Sequence, residues 1–180
     1  MTTERDELLY RSRRVDWRFL LPDADLGHVA LVGAAADDDE LAAAVEALAA
    51  RCDRDPQAGS APDLAVARGG HAETYAAAGL VRPGGAVYIE TSGRRARRVA
   101  TIARTLGLVD VVVRWHWPDH AGCLEIVDLD DPVAVRHALG RRGAAGGGGV
   151  RGRVATVALA LGVFDRTVAA ASVLAWRPAT

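Results

Sequence analysis

The chain has 180 residues, half of them hydrophobic, which suffices for one domain with a substantial core and excludes wholesale disorder. The formal net charge is −1, so the sequence does not predict a nucleic-acid partner bound through phosphate electrostatics. Cys52 and Cys123 lack short-range metal spacing and are predicted to be reduced, buried thiols of a cytoplasmic protein.

The first 22 residues are predicted to form an arm that precedes the domain. They combine apolar residues with a group of arginines: Arg11, Arg13, Arg14 and Arg18. Two interpretations stay open. The arm either covers the domain through residues such as Trp17 and Leu20, or it is a lid whose arginines meet an anionic ligand. It lacks the apolar core of a signal peptide, and no later apolar run is long enough to predict a transmembrane segment.

Strands and helices are predicted to alternate from residue 28 onward. The run HVALV (28–32) predicts a buried strand that ends at Gly33. The acids at 37–39 are suited to cap a helix from about Glu40 to Arg51, in which apolar residues recur at helical spacing: Leu41, Val45, Leu48 and Cys52. Further strands are predicted at 63–69, 86–90, 109–115, 123–129 and 171–178, and further helices at 71–80, 94–106 and about 130–139.

This alternation predicts a three-layer α/β fold around a mostly parallel sheet, with ligands bound beyond the carboxyl ends of the strands. The predicted organisation is an arm (1–22), the α/β domain (23–140), a Gly-rich linker loop (141–153), and a helix and strand that complete the same domain (154–180). The residues that follow each strand are therefore the candidates for a site.

Two segments resemble class I S-adenosylmethionine-dependent methyltransferases. Asp63 opens the strand DLAVARG, as an aspartate opens the fourth strand of that family, and LVRPGG (80–85) resembles the LxPGG turn before its fifth strand. The closing SVLAWRP is similar to the family's final strand. The segment 115–139 resembles a subgroup associated with bacterial polysaccharide and natural-product gene clusters. The resemblance implies a Rossmann-like sheet, S-adenosylmethionine as cofactor and a small-molecule substrate.

The resemblance places the cofactor over the ends of the first and second predicted strands, at Gly33, Ala34, Ala35, Asp37, Arg68 and Gly69. The sequence departs from the family in two ways. Only one glycine of the family's Gly-x-Gly-x-Gly turn is present, and alanines follow it. About ten residues separate Cys52 from Asp63, where the family has two strands and a helix, so both strands cannot fit. We therefore expect a sheet shortened in its first half, in which Asp53 or Asp55 is a poor substitute for the ribose-binding acid.

The stretch WHWPDH (115–120) carries the densest set of reactive side chains. His116 or His120 is a candidate general base, with Asp119 to orient it. Two alternatives stay open: the same three residues as metal ligands, or a loop whose tryptophans pack and whose polar groups bond locally. His71 is a further candidate base, and it is equally suited to begin a helix. We expect no resident metal.

Five arginines on the helix 94–106 form either a solvated face or a surface for an acidic or phosphate-bearing partner: Arg94, Arg95, Arg97, Arg98 and Arg104. Two functions remain. The chain is a methyltransferase-like enzyme of bacterial biosynthetic metabolism, or a non-catalytic protein that stabilises or activates a partner biosynthetic enzyme. The sequence leaves a homo-oligomer open.

Overall fold

A computed structural model describes residues 12–146 and 157–179 of the chain. The strands are β1 (His28–Gly33), β2 (Arg51–Asp53), β3 (Leu64–Arg68), β4 (Ala86–Thr91), β5 (Val109–Trp117), β6 (Glu125–Asp128) and β7 (Ala170–Trp176). The helices are α1 (Asp39–Glu46), α2 (His71–Leu80), α3 (Gly93–Thr105) and α4 (Pro132–Gly146). Two short 3-10 helices occupy Asp16–Leu20 in the arm and Phe164–Thr167 before β7.

The strands form a seven-stranded sheet in the order β2-β1-β3-β4-β7-β5-β6. Neighbouring strands from β2 to β4 are parallel, and β7 runs antiparallel between β4 and β5. It follows that β5 runs in the same direction as β4, while β6 pairs antiparallel with β5 at the edge. The first half of the sheet is therefore parallel, as βαβ connections produce. The predicted α/β, Rossmann-like fold class is confirmed.

The sheet has an apolar core on each face, because successive strand residues point to opposite sides. One face is covered by α2, α3 and α4, with the chain around Phe164. The other face is covered by α1 together with the arm, whose Val15 and Trp17 are buried against Leu31, Tyr88 and Leu174. The described part of the arm, residues 12–22, is thus a layer of the domain, and this burial supports its interpretation as a cover.

The first half of the sheet differs from the prediction at one helix. Helix α1 ends at Glu46, and the residues predicted to continue it turn back into the three-residue strand β2. Pairing with β1 outweighs the helical spacing of Leu48 and Cys52, and Leu48 is 39% exposed. One of the family's two additional strands is therefore present in short form.

Two other element boundaries also differ. Strand β5 continues to Trp117, so that His116 lies within the strand and not after it. Helix α4 continues to Gly146, six residues into the segment predicted as a linker. The rest of that segment, 147–153, lies outside the described residues, as do residues 1–11 of the arm. Among the described residues, no helix has the length and hydropathy that a bilayer span requires.

The start of α3 is fixed by close backbone packing at Gly93. A Cβ atom at this position would lie 1.9 Å from the backbone oxygen of Asp165 and 2.3 Å from Cγ2 of Val168. The chain before β7 therefore packs directly on the first turn of α3, which anchors the antiparallel strand to the parallel half of the domain.

Gly93→Ala should lower the free energy of unfolding by about 3 kcal/mol. The added methyl group would collide with the chain at Asp165 and Val168, and neither this chain nor the first turn of α3 can move away without losing its own packing. Gly79→Ala is the matched control: a Cβ there meets nothing within 4 Å. That change should stabilise the exposed last turn of α2, by up to about 0.5–1 kcal/mol. Urea unfolding of both variants measures the difference, and equal effects would contradict the described packing.

Candidate functional site

The point where the strand order reverses lies between β1 and β3. The chain leaves β1 through α1 toward β2 on one side, and leaves β3 through α2 toward β4 on the other. Ligands of such sheets bind in the crevice beyond the carboxyl ends of these strands. The candidate site is therefore built from the turn at 33–38, the turn at 68–70 and the end of β4.

A buried ion network occupies this edge. Glu90, near the end of β4, is 0% exposed and accepts two hydrogen bonds from Arg14, at 2.5 Å from Nη1 to Oε1 and 2.8 Å from Nη2 to Oε2. Arg68 Nη2 lies 2.8 Å from Glu90 Oε2 and 2.5 Å from Oδ2 of Asp38. Nη2 of Arg14 reaches the same Asp38 oxygen at 3.4 Å. Two cations and two anions from four separate segments therefore close the edge.

The network keeps Glu90 ionised despite its burial. Burial alone would raise the pKa of this carboxyl, but the hydrogen bonds and charges of its neighbours, above all Arg14, lower the pKa to about 2. The pKa of Asp38 is also lowered: its loss of solvation is outweighed by the backbone N–H of Leu41 and by the two guanidinium groups. Removal of a cation from such a cluster leaves an uncompensated buried charge, which typically costs about 3–5 kcal/mol.

The arm brings Arg14 to this position through an aromatic contact. The Trp17 ring stacks on Tyr88 of β4, with ring centroids 4.2 Å apart and an angle of 15° between the planes. Tyr88 and Glu90 are two residues apart on one strand and so point to the same face. One segment of the arm thus covers both side chains. Its Arg14 pairs with acidic residues of the chain itself, Glu90 and Asp38.

A row of neutral polar side chains lies beneath the arm. The His116 ring is buried, with Nε2 2.7 Å from Ser172 Oγ and 3.4 Å from the Tyr88 hydroxyl. On its other side, Nδ1 is 3.5 Å from the Cys123 sulfur. Burial, and to a smaller extent the neighbouring His120, lowers the pKa of His116 to about 3. This ring is therefore neutral at pH 7 and has no route to solvent, which does not suit a general base.

His120 lies next to His116, with ring centroids 4.8 Å apart. Its Nε2 is 3.3 Å from the backbone oxygen of Thr91, and its Nδ1 is 4.0 Å from Oε1 of Glu90. Burial lowers the pKa of His120 against the opposing influence of Glu90. Nδ1 of His120 and Oγ1 of Thr91 are buried without a hydrogen-bond partner in the described part of the chain. The structure thus brings two of the four candidate catalytic residues to the ion network.

The other two candidates lie elsewhere. Oδ1 of Asp119 accepts a hydrogen bond from Gly122 N at 2.7 Å, within an exposed turn, so this carboxylate caps the turn. His71 begins α2 and lies on the rim of a cavity of about 370 Å³ between α2 and α3, on the opposite face of the sheet from His116. No single site therefore contains all four residues.

The glycine turn is partly covered by one side chain. A Cβ at Gly33 would lie 3.0 Å from Cγ of Glu73, and a Cβ at Gly69 would lie 2.6 Å from its Cδ. The Glu73 carboxylate accepts a hydrogen bond from Gly70 N at 2.9 Å. Both glycines have positive φ, which suits the residue type. Of the neighbouring cofactor candidates, Ala34 and Asp37 are exposed and Ala35 is buried. Arg68 is engaged in the ion network.

The residues present do not fit S-adenosylmethionine in the manner that the resemblance implies. The family's second strand ends in the acid that binds the ribose, and here β2 ends at Asp53. This residue pairs with Ala30 of β1, three residues before Gly33, and thus about 10 Å short of the edge. Its Oδ2 is 2.8 Å from His28 Nε2 and 3.0 Å from Arg51 Nη2. The turn at 33 and 69 is partly covered by Glu73, and Asp38 is bound by arginines.

The candidate site offers no set of metal ligands among the described residues. The described residues contain no group of three or more histidine, cysteine or carboxylate side chains that could hold a metal ion. Cys52 and Cys123 are both free thiols. Cys123 is buried as predicted, whereas Cys52 is only partly buried because it lies on the edge strand β2.

The arginines of α3 divide into two groups. Arg97 contacts Asp130 and Asp165, and Arg104 donates to the backbone oxygen of Val111 at 3.1 Å. The remaining three are exposed and form no ion pair within the described residues: Arg94, Arg95 and Arg98. The predicted arginine face is therefore reduced to three side chains that are available to a partner.

Sequence reasoning did not identify Glu90 and Ser172 as site residues, and it named Arg14 only as one of four arginines of the arm. Glu90 carried a detectable signal, since a carboxylate inside the apolar run AVYIE requires a buried counter-charge. Arg14 carried none, because nothing in the arm distinguishes it from Arg11, Arg13 or Arg18. Its pairing with Glu90 spans 76 residues of chain.

Comparison with known proteins yields a loose structural likeness. No family model matches the chain, and no curated protein matches it. Among solved structures, the chain is similar to a SAM-dependent methyltransferase from Thermotoga maritima, with a TM-score of 0.45 and 11% sequence identity, over 95% of this chain and 90% of that one. A likeness at this level does not assign a cofactor or a substrate.

His116 should make the stability depend on pH. Its pKa is about 3 in the folded chain and about 6.5 when unfolded, so between these values only the unfolded state binds the proton, and stability falls as the pH falls. His116→Gln should reduce the slope of unfolding free energy between pH 4 and pH 6 by about 1.4 kcal/mol per pH unit. Denaturant unfolding at several pH values measures this slope. The exposed His137→Gln is the control, and equal slopes in the two variants would contradict the burial of His116.

Proposed function

We propose that this chain is a methyltransferase-fold protein that acts by binding a partner enzyme of bacterial biosynthetic metabolism, and not by transferring a methyl group. The observation that carries the proposal is the Arg14–Glu90 pair with its neighbours Arg68 and Asp38. These side chains fill the edge at which a ligand of this fold would lie, and they satisfy each other's charges.

Two further features support the absence of cofactor use. The Glu73 side chain lies across Gly33 and Gly69, where close approach of a cofactor to the backbone would be needed. The carboxylate that ends β2 is engaged by His28 and Arg51. Each unmade hydrogen bond to a charged group weakens binding by about 1.5–3 kcal/mol, so the loss of several of them would move micromolar affinity beyond the millimolar range.

The α3 surface supports a binding role. Arg94, Arg95 and Arg98 project from one helix without internal ion pairs in the described chain, which favours an acidic partner surface. Arg97 holds the segment around Asp130 and Asp165 and is therefore assigned to the fold. A cytoplasmic location is part of the same proposal.

A methyltransferase-like enzyme is the second candidate, and one observation favours it. Among the described residues, His120 Nδ1 and Thr91 Oγ1 are buried beside Glu90 without a hydrogen bond, and a polar substrate could supply the missing bonds. In that case His120 would be the base and His116 would position it. The cofactor would need both Arg14 and Glu73 to move away from the edge.

Titration with S-adenosylmethionine and S-adenosylhomocysteine separates the two candidates. We expect neither heat of binding by calorimetry nor a rise in Tm at 1 mM ligand. If either ligand bound with a Kd of about 10 μM, the folded state would gain about 2.7 kcal/mol at this concentration, and Tm would rise by several degrees.

Binding that is abolished by Gly33→Trp would contradict the proposal and favour the methyltransferase-like enzyme. The same titration of Glu73→Ala tests whether this side chain alone covers the turn. If Glu73→Ala binds S-adenosylhomocysteine and the unsubstituted chain does not, the Glu73 side chain is what prevents binding at the turn, and the proposal stands.

A further inference from the structure

The Arg14 guanidinium is held in the way that a separate ligand would be held. Both of its terminal nitrogens donate to the two oxygens of Glu90, and Nη2 also lies 3.4 Å from Asp38. The residue is 1% exposed. A planar fork matches a carboxylate in this two-point geometry, whereas an ammonium group makes only a point contact. The acids therefore form a receptor for a guanidinium group in particular.

The charges around this receptor require a cation. Glu90 and Asp38 contribute two negative charges, and Arg68 supplies one positive charge that both carboxylates share. Without Arg14, one buried negative charge would remain uncompensated. The other groups that face Glu90 cannot replace Arg14 as the compensating cation. Burial favours the neutral form of His120, and Tyr88 carries no positive charge.

The guanidinium group that fills this receptor belongs to the arm and not to a strand of the sheet. Arg14 is held in place by the buried Val15 and by the stack of Trp17 on Tyr88. Docking of the arm also leaves hydrogen bonds unmade, since Trp17 Nε1 and Arg18 Nη1 are buried without a partner in the described chain. Unmade hydrogen bonds oppose docking, so they lower the cost of displacing the arm.

We infer that the carboxyl edge is a guanidinium-binding site, which Arg14 fills in cis and which takes the guanidinium group of a separate ligand when the arm is displaced. The ligand is either a small arginine derivative or an arginine side chain of a protein. Because Arg14 competes for the site, the apparent affinity for a separate ligand is reduced by the fraction of molecules with a displaced arm. This inference does not depend on the fate of S-adenosylmethionine.

Chemical rescue of Arg14→Ala tests the site. The deleted atoms, Cγ, Cδ and the guanidinium group, correspond to ethylguanidinium, which restores the fork to Glu90. We expect the Tm of this variant to rise by about 4 °C at a concentration ten times the Kd, with sodium chloride used to match ionic strength. The unsubstituted chain, whose site is filled, should show a shift below 1 °C.

Two controls make the result specific, and a second variant at Arg14 keeps the test usable if the first does not fold. Arg14→Ala combined with Glu90→Gln should lose the rescue, since the receptor carboxylate is neutral. Ethylammonium should give a much smaller shift than ethylguanidinium. Arg14→Ser, which leaves nearly the same space and keeps a polar group, undergoes the same titration if the alanine variant does not fold. An absent shift in the folded variant, or an equal shift without Glu90, would overturn the inference.

The source of the ligand is settled by two probes once rescue is seen. Agmatine represents a small arginine derivative, and the tripeptide Gly-Arg-Gly represents an arginine side chain in a protein. The probe that raises the Tm of Arg14→Ala further identifies the class. Since the readout is rescue and not methyl transfer, its failure is distinguishable from a failure of the proposed function.

Discussion

A carboxylate buried at the end of a central strand needs a cation beside it, and this requirement fixes the position of the arm. Glu90 has no contact with solvent, so an unpaired charge there would destabilise the domain by several kcal/mol. Arg14 supplies the partner, with Arg68 as a second one. The arm is therefore a structural layer of the domain as well as the cover of its carboxyl edge.

The same arrangement explains the chemistry of the residues beneath the arm. Once Trp17 and Arg14 cover this face, His116 and Ser172 are isolated from water and bond to each other. Burial then holds His116 in its neutral form. His116, a candidate base in the sequence, thus becomes part of a neutral hydrogen-bonded pair in the core. His120, at the boundary of this region, has one ring nitrogen without a hydrogen bond among the described residues.

The fold could be predicted from the sequence to a greater extent than the site. Apolar runs such as AVYIE and the turn RPGG identify strands because local periodicity and turn chemistry act over a few residues. Strand β2 was not predicted, because its three residues adopt strand geometry only by pairing with β1. The apolar residues Leu48 and Cys52 happen to continue the helical spacing of α1, so the sequence predicted a longer helix there. The direction of β7 is also set by its neighbours and not by its own residues. The ion network depends on residues from four separate segments, which no local pattern joins.

A double-mutant cycle on Arg14 and Glu90 tests the closure of the carboxyl edge most directly. Arg14→Gln, Glu90→Gln and the double variant are compared by denaturant unfolding, with Arg54→Gln and Glu46→Gln as the matched cycle on an exposed pair. A buried two-point ion pair should give a coupling energy of at least about 2 kcal/mol, against less than about 1 kcal/mol for the exposed pair. Equal and small coupling in both cycles would contradict the account, because the arm would then cover the edge without being held there by Glu90.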